Sequence, residues 1–567
     1  MEPSQPVPYK PDDYERDRYY YGLAHNPKLV ARTSVHRWTA PQHEYGWQAT
    51  LVQSRKVYLP LTDQKRIMAW TKPLSLELIR VLERCNWCFF FPVRIGLEAD
   101  AERARTERGE RGERAERARV ATVLMIGVEP DSLQWDEGVA IALECRGILQ
   151  RFNIKGVEVE IREGRYTHHN AFAQLESQIE YDVPKYGRTN AAIEPLLPSL
   201  GHPIAYQENR RGEGSAGLHL KLGEDESTVY CLTCRHVVDG DRTVQEMYQF
   251  SDKNTQYHVR ASVTTYSDCL ENLERISEDL SEVIAEIEKA MAEWEWYQHD
   301  ETKKHKRPTE EDEQTLLRSR INKAYVDRIT KLVRSLEEKK ERTIGCLAFH
   351  PRLECSAEEP GYLKDWGLIR LDSAKFSGPK NEVYVGSETP PGRWDHVLNF
   401  NEYFRLRLQR NESMEVGPLP VAKRGAASGL TYGTKSGVEA VVRHAFPDGK
   451  TAHAWEMLIV GDKGNFSTPG DSGSSVFDLK GNVVGLVVGS TDGKPESTWR
   501  GMQLRAVSDP LDLKKHPGEK SDPDTAPITA ASELRSLDPG VDVTFASPIQ
   551  WVLDDIRRFT GLEPRLA

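Results

Sequence analysis

Cysteine is scarce in this chain. Eight cysteines in 567 residues cannot staple a protein of this length, so free thiols in a reducing compartment are expected. Long apolar runs are missing as well. The strongest stretch, Cys88 to Val93, falls far short of the roughly 20 apolar residues that a membrane-spanning helix needs, which excludes a helical membrane span. There is no excess of positive charge: the formal net charge is −11, which argues against a dedicated nucleic-acid binder. The N-terminal residues Met1 to Lys10 carry no apolar core behind a basic start. No secretory signal is visible there, and a cytoplasmic address is expected.

What is present describes a globular protein with some very polar segments: 38% hydrophobic and 29% charged residues. The length predicts several domains or large insertions. Residues 1–97 show helical patterning around Leu74 to Leu82 and no recognisable chemistry. Residues 98–119 are a Glu/Arg/Ala/Gly tract with no apolar stripe, the composition of a solvated linker. Residues 120–190 then read as a small α/β accessory unit. It holds an apolar strand over Thr122 to Val128, a helix through Ala140, Leu143, Ile148 and Leu149, and a strand at Val157 to Ile161. The turn after the first of these strands, Val-Glu-Pro-Asp-Ser, lacks the glycines that cradle phosphate, so nucleotide binding is not supported.

From about residue 200 the texture becomes all-β, with short alternating runs such as Leu218 to Leu222 and Thr228 to Thr233 separated by polar turns. Helical periodicity interrupts it over residues 266–342. Leu273, Ile276, Leu280, Ile284, Ile287, Met291 and Trp294 recur at three- and four-residue steps, and Leu317, Ile321, Tyr325, Ile329, Leu332 and Leu336 follow after a polar hinge at 299–312. This pattern predicts a helical hairpin or coiled-coil arm, folded on its own domain or gripping a partner or a second copy. The β pattern resumes at Ile344 and is broken once more by a Pro/Asp/Lys/Ser-rich loop at 508–539. A C-terminal helix is expected with Ser547 as N-cap, Pro548 at its first position and Gln550 completing a capping box.

Two Cys-x-x-Cys pairs raise the question of zinc. Cys85 and Cys88 lie in an apolar helix-to-strand passage and read as core thiols. Cys231 and Cys234 fall in a strand-like run whose alternation puts them on opposite faces. No metal and no organic cofactor is expected.

The segment richest in chemistry is Thr468-Pro469-Gly470-Asp471-Ser472-Gly473-Ser474-Ser475, followed by two apolar runs, Ser475 to Phe477 and Val483 to Val488. An ordinary serine is a weak nucleophile; it needs an exposed turn, a neighbouring base and amide donors for the oxyanion. Glycines on both sides of Ser472 permit such a turn, and the amides of Gly470 and Ser472 are the candidate donors. Gly-Asp-Ser-Gly by itself is also the composition of a plain surface turn.

In its context this segment resembles the nucleophile region of chymotrypsin/trypsin-like serine proteases. Two further segments are similar to motifs of that family: Thr233-Cys234-Arg235-His236 to its Thr-Ala-x-His, and Asp365-Trp366-Gly367-Leu368-Ile369-Arg370-Leu371 to its Asp-x-Ala-Leu-x-x-Leu. The order His, Asp, Ser also matches. Lys423 to Gly433 looks like the glycine-punctuated hairpin that opens the family's second barrel. The resemblance covers about 200–262, 343–505 and 541–562, and in texture the chain is similar to intracellular, fungal-type members.

The resemblance implies a mainly β protein with two six-stranded antiparallel barrels, over about 200–375 and 376–567, carrying the N-terminal α/β unit and the inserted helices. It implies a serine endopeptidase acting on protein or peptide substrates. Ser472 would be nucleophile, His236 general base and Asp365 its orienting acid, with Gly470 and Ser472 as oxyanion donors and Phe466, Val488, Gly489 and Ser490 around the specificity pocket. Phe466 stands where trypsin-type enzymes keep an acid, so a Lys or Arg preference is not supported. In secreted members the acid before the nucleophile pairs with a newly cut N-terminus. No clear junction precedes the barrel here, and activation by that route is not expected. The other reading is a latent or inactive protease-fold scaffold that uses the helical arm for assembly. Without the resemblance, His236 could be a core histidine and Asp365 a strand-starting turn acid.

Overall fold

A computed structural model describes residues 8–23, 26–38, 42–45, 50–53, 55–61, 63–98, 100, 120–165, 200–206, 213–239, 246–251, 258–260, 263–297, 309–337, 342–357, 361–373, 381–385, 405–410, 417–446, 448–462, 464–478, 480–491 and 542–567. The Glu/Arg tract beyond residue 100, residues 299–308 of the expected 299–312 hinge and the 508–539 loop lie outside the described residues; Thr309 to Asp312, the rest of that hinge, instead form the capping box that opens a helix. Among the described residues, no helix is long and apolar enough to cross a membrane.

The chain forms two compact units. One comprises residues 1–167 with 463–465 and 490–543; the other comprises 168–462, 466–489 and 544–567. In the first, strands Ala121–Val128 and Glu158–Glu163 run parallel and are joined through helix Trp135–Arg151. Parallel strands need such a crossover, and the helix buries Val139, Ile141, Ala142, Ile148 and Leu149. Strand Trp87–Leu97, with three fully buried phenylalanines at 89–91, pairs antiparallel with Ala121–Val128. The Glu/Arg tract therefore connects two strands that are neighbours in one sheet.

The second unit is mostly β and carries two large sheets and a two-stranded one, Glu382–Tyr384 with Arg405–Arg407. In one, six strands form a ring in the order Gly429–Ala445, Leu419–Gly425, Ser475–Asp478, Asn482–Ser490, Val543–Pro548 and Thr451–Gly461, the last pairing back onto the first, and Gln409–Arg410 adds a further strand parallel to Asn482–Ser490. Closure removes the exposed edges that an open sheet would leave. Its core holds Val421, Met457, Ile459, Phe466, Val476, Val484, Val487 and Ala546.

The other sheet has nine strands rather than six. The path runs Pro564–Leu566, His219–Leu222, Tyr230–Thr233, Gly367–Leu371, Thr343–His350, His258–Arg260, Pro203–Tyr206 and Glu213–Ser215, with Tyr248–Gln249 also on Thr343–His350. The extra strands are short pieces that cover edges, including the C-terminal residues on His219–Leu222.

Strands His258–Arg260 and Thr343–His350 pair directly, Val259 opposite Gly345. The two long helices Val263–Tyr297 and Glu310–Arg334 lie between them in the chain. These helices run antiparallel, with Glu274 beside Arg334, Ser277 beside Asp327 and Glu288 beside Arg320. Leu273, Ile276, Tyr325, Val326, Ile329 and Val333 form their shared core. In the second helix and just past its end, Tyr325, Ile329, Leu332 and Leu336 lie in or against that core as the spacing predicts, whereas Leu317 and Ile321 are exposed and Leu316, Val326 and Val333 are inside. In a run with apolar residues at adjacent positions, the partner helix decides which one turns inward.

The C-terminal helix spans Ile549–Thr560 with Pro548, not Ser547, at its N-cap, and no side-chain cap is made. Ser547 stays in the preceding strand, where its hydroxyl donates to Glu456, and Gln550 bonds Asp554 instead of closing a capping box. Trp366 donates its indole N–H to Asp555 of this helix at 2.9 Å.

Candidate active site

Sheet register brings His236 and Asp365 together. Strands Tyr230–Thr233 and Gly367–Leu371 pair antiparallel with Thr233 opposite Gly367. The chain leaving the first strand and the chain entering the second therefore meet at one end of the sheet. His236 sits in the short helix Arg235–Val238 just past the first strand, and Asp365 lies two residues before the second. Asp365 Oδ2 lies 2.6 Å from His236 Nδ1, and Oδ1 accepts the His236 backbone N–H at 3.0 Å. Both carboxylate oxygens thus hold one residue, fixing ring and backbone at once. The two side chains are almost fully buried.

Around this pair lie two buried histidines and the ion pair of Arg235 with Asp239, 2.6 Å apart. Burial pushes His350 and His444 down to about 4, leaving both rings uncharged at pH 7. Burial also raises the Cys234 thiol and the Glu456 carboxyl well above their ordinary values, with the Asp365 charge adding to both shifts. The two Cys-x-x-Cys residues part company here. Cys231 is in the strand, whereas Cys234 is the residue before the short helix and donates its thiol to the Val487 carbonyl at 3.1 Å. All eight cysteines are free thiols.

Ser472 is fully buried in a turn between Thr468 and Ser475. Gly470 has φ 117° and Gly473 φ 90°, values that favour glycine, so the glycines flanking the serine are conformationally required. The turn is tied down by Asp471 N–H to Thr468 O, Gly473 N–H to Val487 O and Ser474 N–H to Asp471 O. Among the described residues no such internal bond occupies the Gly470 amide. The Ser472 hydroxyl donates to the Val488 carbonyl at 3.2 Å.

This turn packs against the histidine segment. A Cβ at Gly473 would overlap Thr233 Oγ1 and stand 3.2 Å from the Cys234 nitrogen. Ser215 fastens the two segments: its N–H donates to Ser472 O at 2.7 Å, its hydroxyl to Gly470 O at 3.0 Å, and its carbonyl accepts from Thr233 Oγ1 at 2.8 Å. Of the predicted pocket residues, Phe466 is fully buried in the core of the ring-closed sheet, and Val488, Gly489 and Ser490 end strand Asn482–Ser490, all buried.

Asp471 points away from Ser472 into a closed polar nest. Its carboxylate lies 3.1 Å from Lys423 Nζ and accepts from the Thr468, Ala427 and Ser428 amides at 2.9, 3.0 and 3.1 Å and from the Ser428 hydroxyl at 2.6 Å. Burial alone would raise this carboxyl. The Lys423 charge and the Ser428 and amide donors outweigh it and hold Asp471 below the usual carboxylate range. A Cβ at Gly425 would overlap the carboxylate.

Sequence reasoning missed Lys423, Ser428 and Ser215. For Lys423 a signal existed: it shares the inward register of Val421 in strand Leu419–Gly425, and a lysine on an inward face needs an acid. Ser215 and Ser428 carried none, since Ser215 bridges Gly470, Ser472 and Thr233, and the Asp471 carboxylate that Ser428 serves lies 43 positions away.

No protein-family model and no curated protein matches the chain. Among solved structures, one similar chain is a glutamic acid specific serine protease described as utilizing a novel histidine triad in substrate binding. Its TM-score is 0.27 at 11% identity, covering 64% of this chain and 97% of that one. Another is the chymotrypsin of Cellulomonas bogoriensis, with TM-score 0.20 at 16% identity, covering 40% of this chain and 76% of that one. At these scores the likeness carries no argument of its own, and the site's geometry has to carry the reading.

Proposed function

We propose that this chain is a serine endopeptidase of chymotrypsin type, built on two β-barrels, with the helical hairpin inserted in the first and an N-terminal α/β unit as accessory. The observation that carries the reading is the double grip of Asp365 on His236, made next to the glycine-flanked turn that bears Ser472.

In this reading Asp365 holds the proton on Nδ1, which leaves Nε2 with the lone pair that accepts the Ser472 proton. Ser472 Oγ gives up its bond to the Val488 carbonyl, attacks the peptide carbonyl and expels the amine, to which His236 returns the proton. Water then hydrolyses the acyl-enzyme by the same proton path. The Asp365 charge, held against the ring, stabilises the imidazolium that forms. The amides of Gly470 and Ser472 receive the oxyanion; one such donor is worth about 100- to 1,000-fold in rate. Phe466, Val488, Gly489 and Ser490 line the substrate pocket, and the exposed apolar residues of the hairpin serve a protein partner or a second copy.

A fluorophosphonate probe tests this directly. Wild type is labelled on Ser472, and Ser472→Ala and His236→Ala are not. A wild type that stays unlabelled under all conditions would instead support a latent or scaffold protein, a reading favoured by the Ser472 hydroxyl resting on a carbonyl in a fully buried turn.

A further inference from the structure

Cys234, His236 and Asp365 each offer one ligand atom, and these three atoms lie within 4.8 Å of one another in a buried cluster. The base and its acid account for two of them. The thiol has no part in the proton path described above, yet it stands at the same spot with its sulfur 3.1 Å from the Val487 carbonyl oxygen.

We propose that this trio is an inhibitory zinc site, in which Zn²⁺ takes the Cys234 thiolate, His236 Nδ1 and an Asp365 oxygen. The donor set selects the metal: one sulfur, one imidazole nitrogen and one carboxylate suit zinc, whereas magnesium and calcium want oxygens alone. Metal–ligand bonds of roughly 2.0–2.3 Å place tetrahedral ligand atoms roughly 3–4 Å apart. The sulfur closes in by about an ångström, and the 2.6 Å Nδ1–Oδ2 contact opens slightly to admit the ion. The Val487 carbonyl or a water completes the four.

The protons balance as follows. The thiol releases one to solvent. The imidazole stays neutral, but the metal takes the Nδ1 lone pair, so the ring proton moves to Nε2. That nitrogen is the one that must accept the Ser472 proton, and once protonated it cannot. Zinc therefore silences the base without touching the serine.

This inference rests on the serine-protease reading for its consequence but not for its binding, so two measurements separate them. The first is Co²⁺ titration of the full-length protein, where a thiolate-to-cobalt absorption band reports the sulfur ligand whether or not the protein is active. The band is expected in wild type and in Cys231→Ala, and absent in Cys234→Ala. Cys234→Ser serves if the alanine variant unfolds on heating below the wild-type range.

The second is the fluorophosphonate labelling rate with and without micromolar Zn²⁺, taken as a ratio within each variant. Zinc is expected to slow wild type and Cys231→Ala at least tenfold, and the Cys234 variant less than twofold. No cobalt band in wild type, a band that survives loss of Cys234, or equal zinc sensitivity in the Cys234 variant overturns the proposal. A cobalt band in a wild type that never labels would uphold the metal site while ending the protease reading.

Discussion

Lys423 and Asp471 form an ion pair 3.1 Å apart with both side chains wholly shut off from solvent. Asp471 immediately precedes Ser472, so the direction of the serine turn depends on where this carboxylate is anchored. The cation that holds this carboxylate thus comes from within the chain, from the strand Leu419–Gly425.

Replacing Lys423 by Met strands that carboxylate, and loss of one partner of a buried pair costs about 3–5 kcal/mol. Urea unfolding of Lys423→Met is expected to show a loss of that size, with slower Ser472 labelling as the turn loosens. Adding Asp471→Asn recovers part of the stability, because a neutral amide tolerates burial better. If the single variant unfolds like wild type, Lys423 does not anchor the turn.

Asp365→Asn keeps the size of the side chain but turns one of the two acceptors facing His236 into a donor. The imidazole then favours the wrong tautomer. A drop of about 10⁴-fold in fluorophosphonate reactivity is expected, with circular dichroism unchanged. Reactivity within tenfold of wild type would remove Asp365 from the mechanism.

The neutral histidines predict a slope of stability with pH. His350 and His444 titrate near 4 in the folded protein against an ordinary 6.5. On acidification the unfolded chain takes up these two protons first, so stability falls from about pH 6.5 to about pH 4, by at most about 3 kcal/mol per ring. Below that, Asp471 adds to the loss: its depressed value means that its contribution is complete above about pH 4 and disappears as pH drops through the folded value. Unfolding by urea at a series of pH values checks this. His444→Leu should remove one proton's share of the slope, and a flat profile between pH 4.5 and 6.5 would contradict the neutral-ring picture.

Gly473 has φ 90° and no room for a side chain. Gly473→Ala is expected to cost about 1–3 kcal/mol from backbone strain alone, and more from overlap with Thr233 and Ser215. Thermal unfolding and labelling together measure it, and both should fall. An alanine variant as stable and as reactive as wild type would show that the turn is not held as described.

Much of the β texture was legible because it is local. Alternation marks Tyr230–Thr233 and Gly367–Leu371 as strands, and three-to-four spacing marks both long helices, from neighbouring residues alone. The inward face of the second helix was less legible. Apolar residues at Leu316 and Leu317 satisfy the period equally well until the packing buries the first and exposes the second. The cap of the last helix failed for a similar reason: Ser547 had a local use as N-cap and a tertiary one as donor to Glu456, and the buried carboxyl won.

By itself the sequence determined which residues could do chemistry: a serine between glycines, a histidine closing a strand, an acid opening one. These are properties of short segments, and short segments carry their own propensities. Only the tertiary structure decided that Thr233 stands opposite Gly367, so that Asp365 holds His236 across 129 positions of chain. It alone decided that Lys423 meets Asp471 and that Cys234 joins the histidine and its acid. Contacts of that kind depend on sheet register and on what burial demands of a charge, and neither is written in any one stretch of residues.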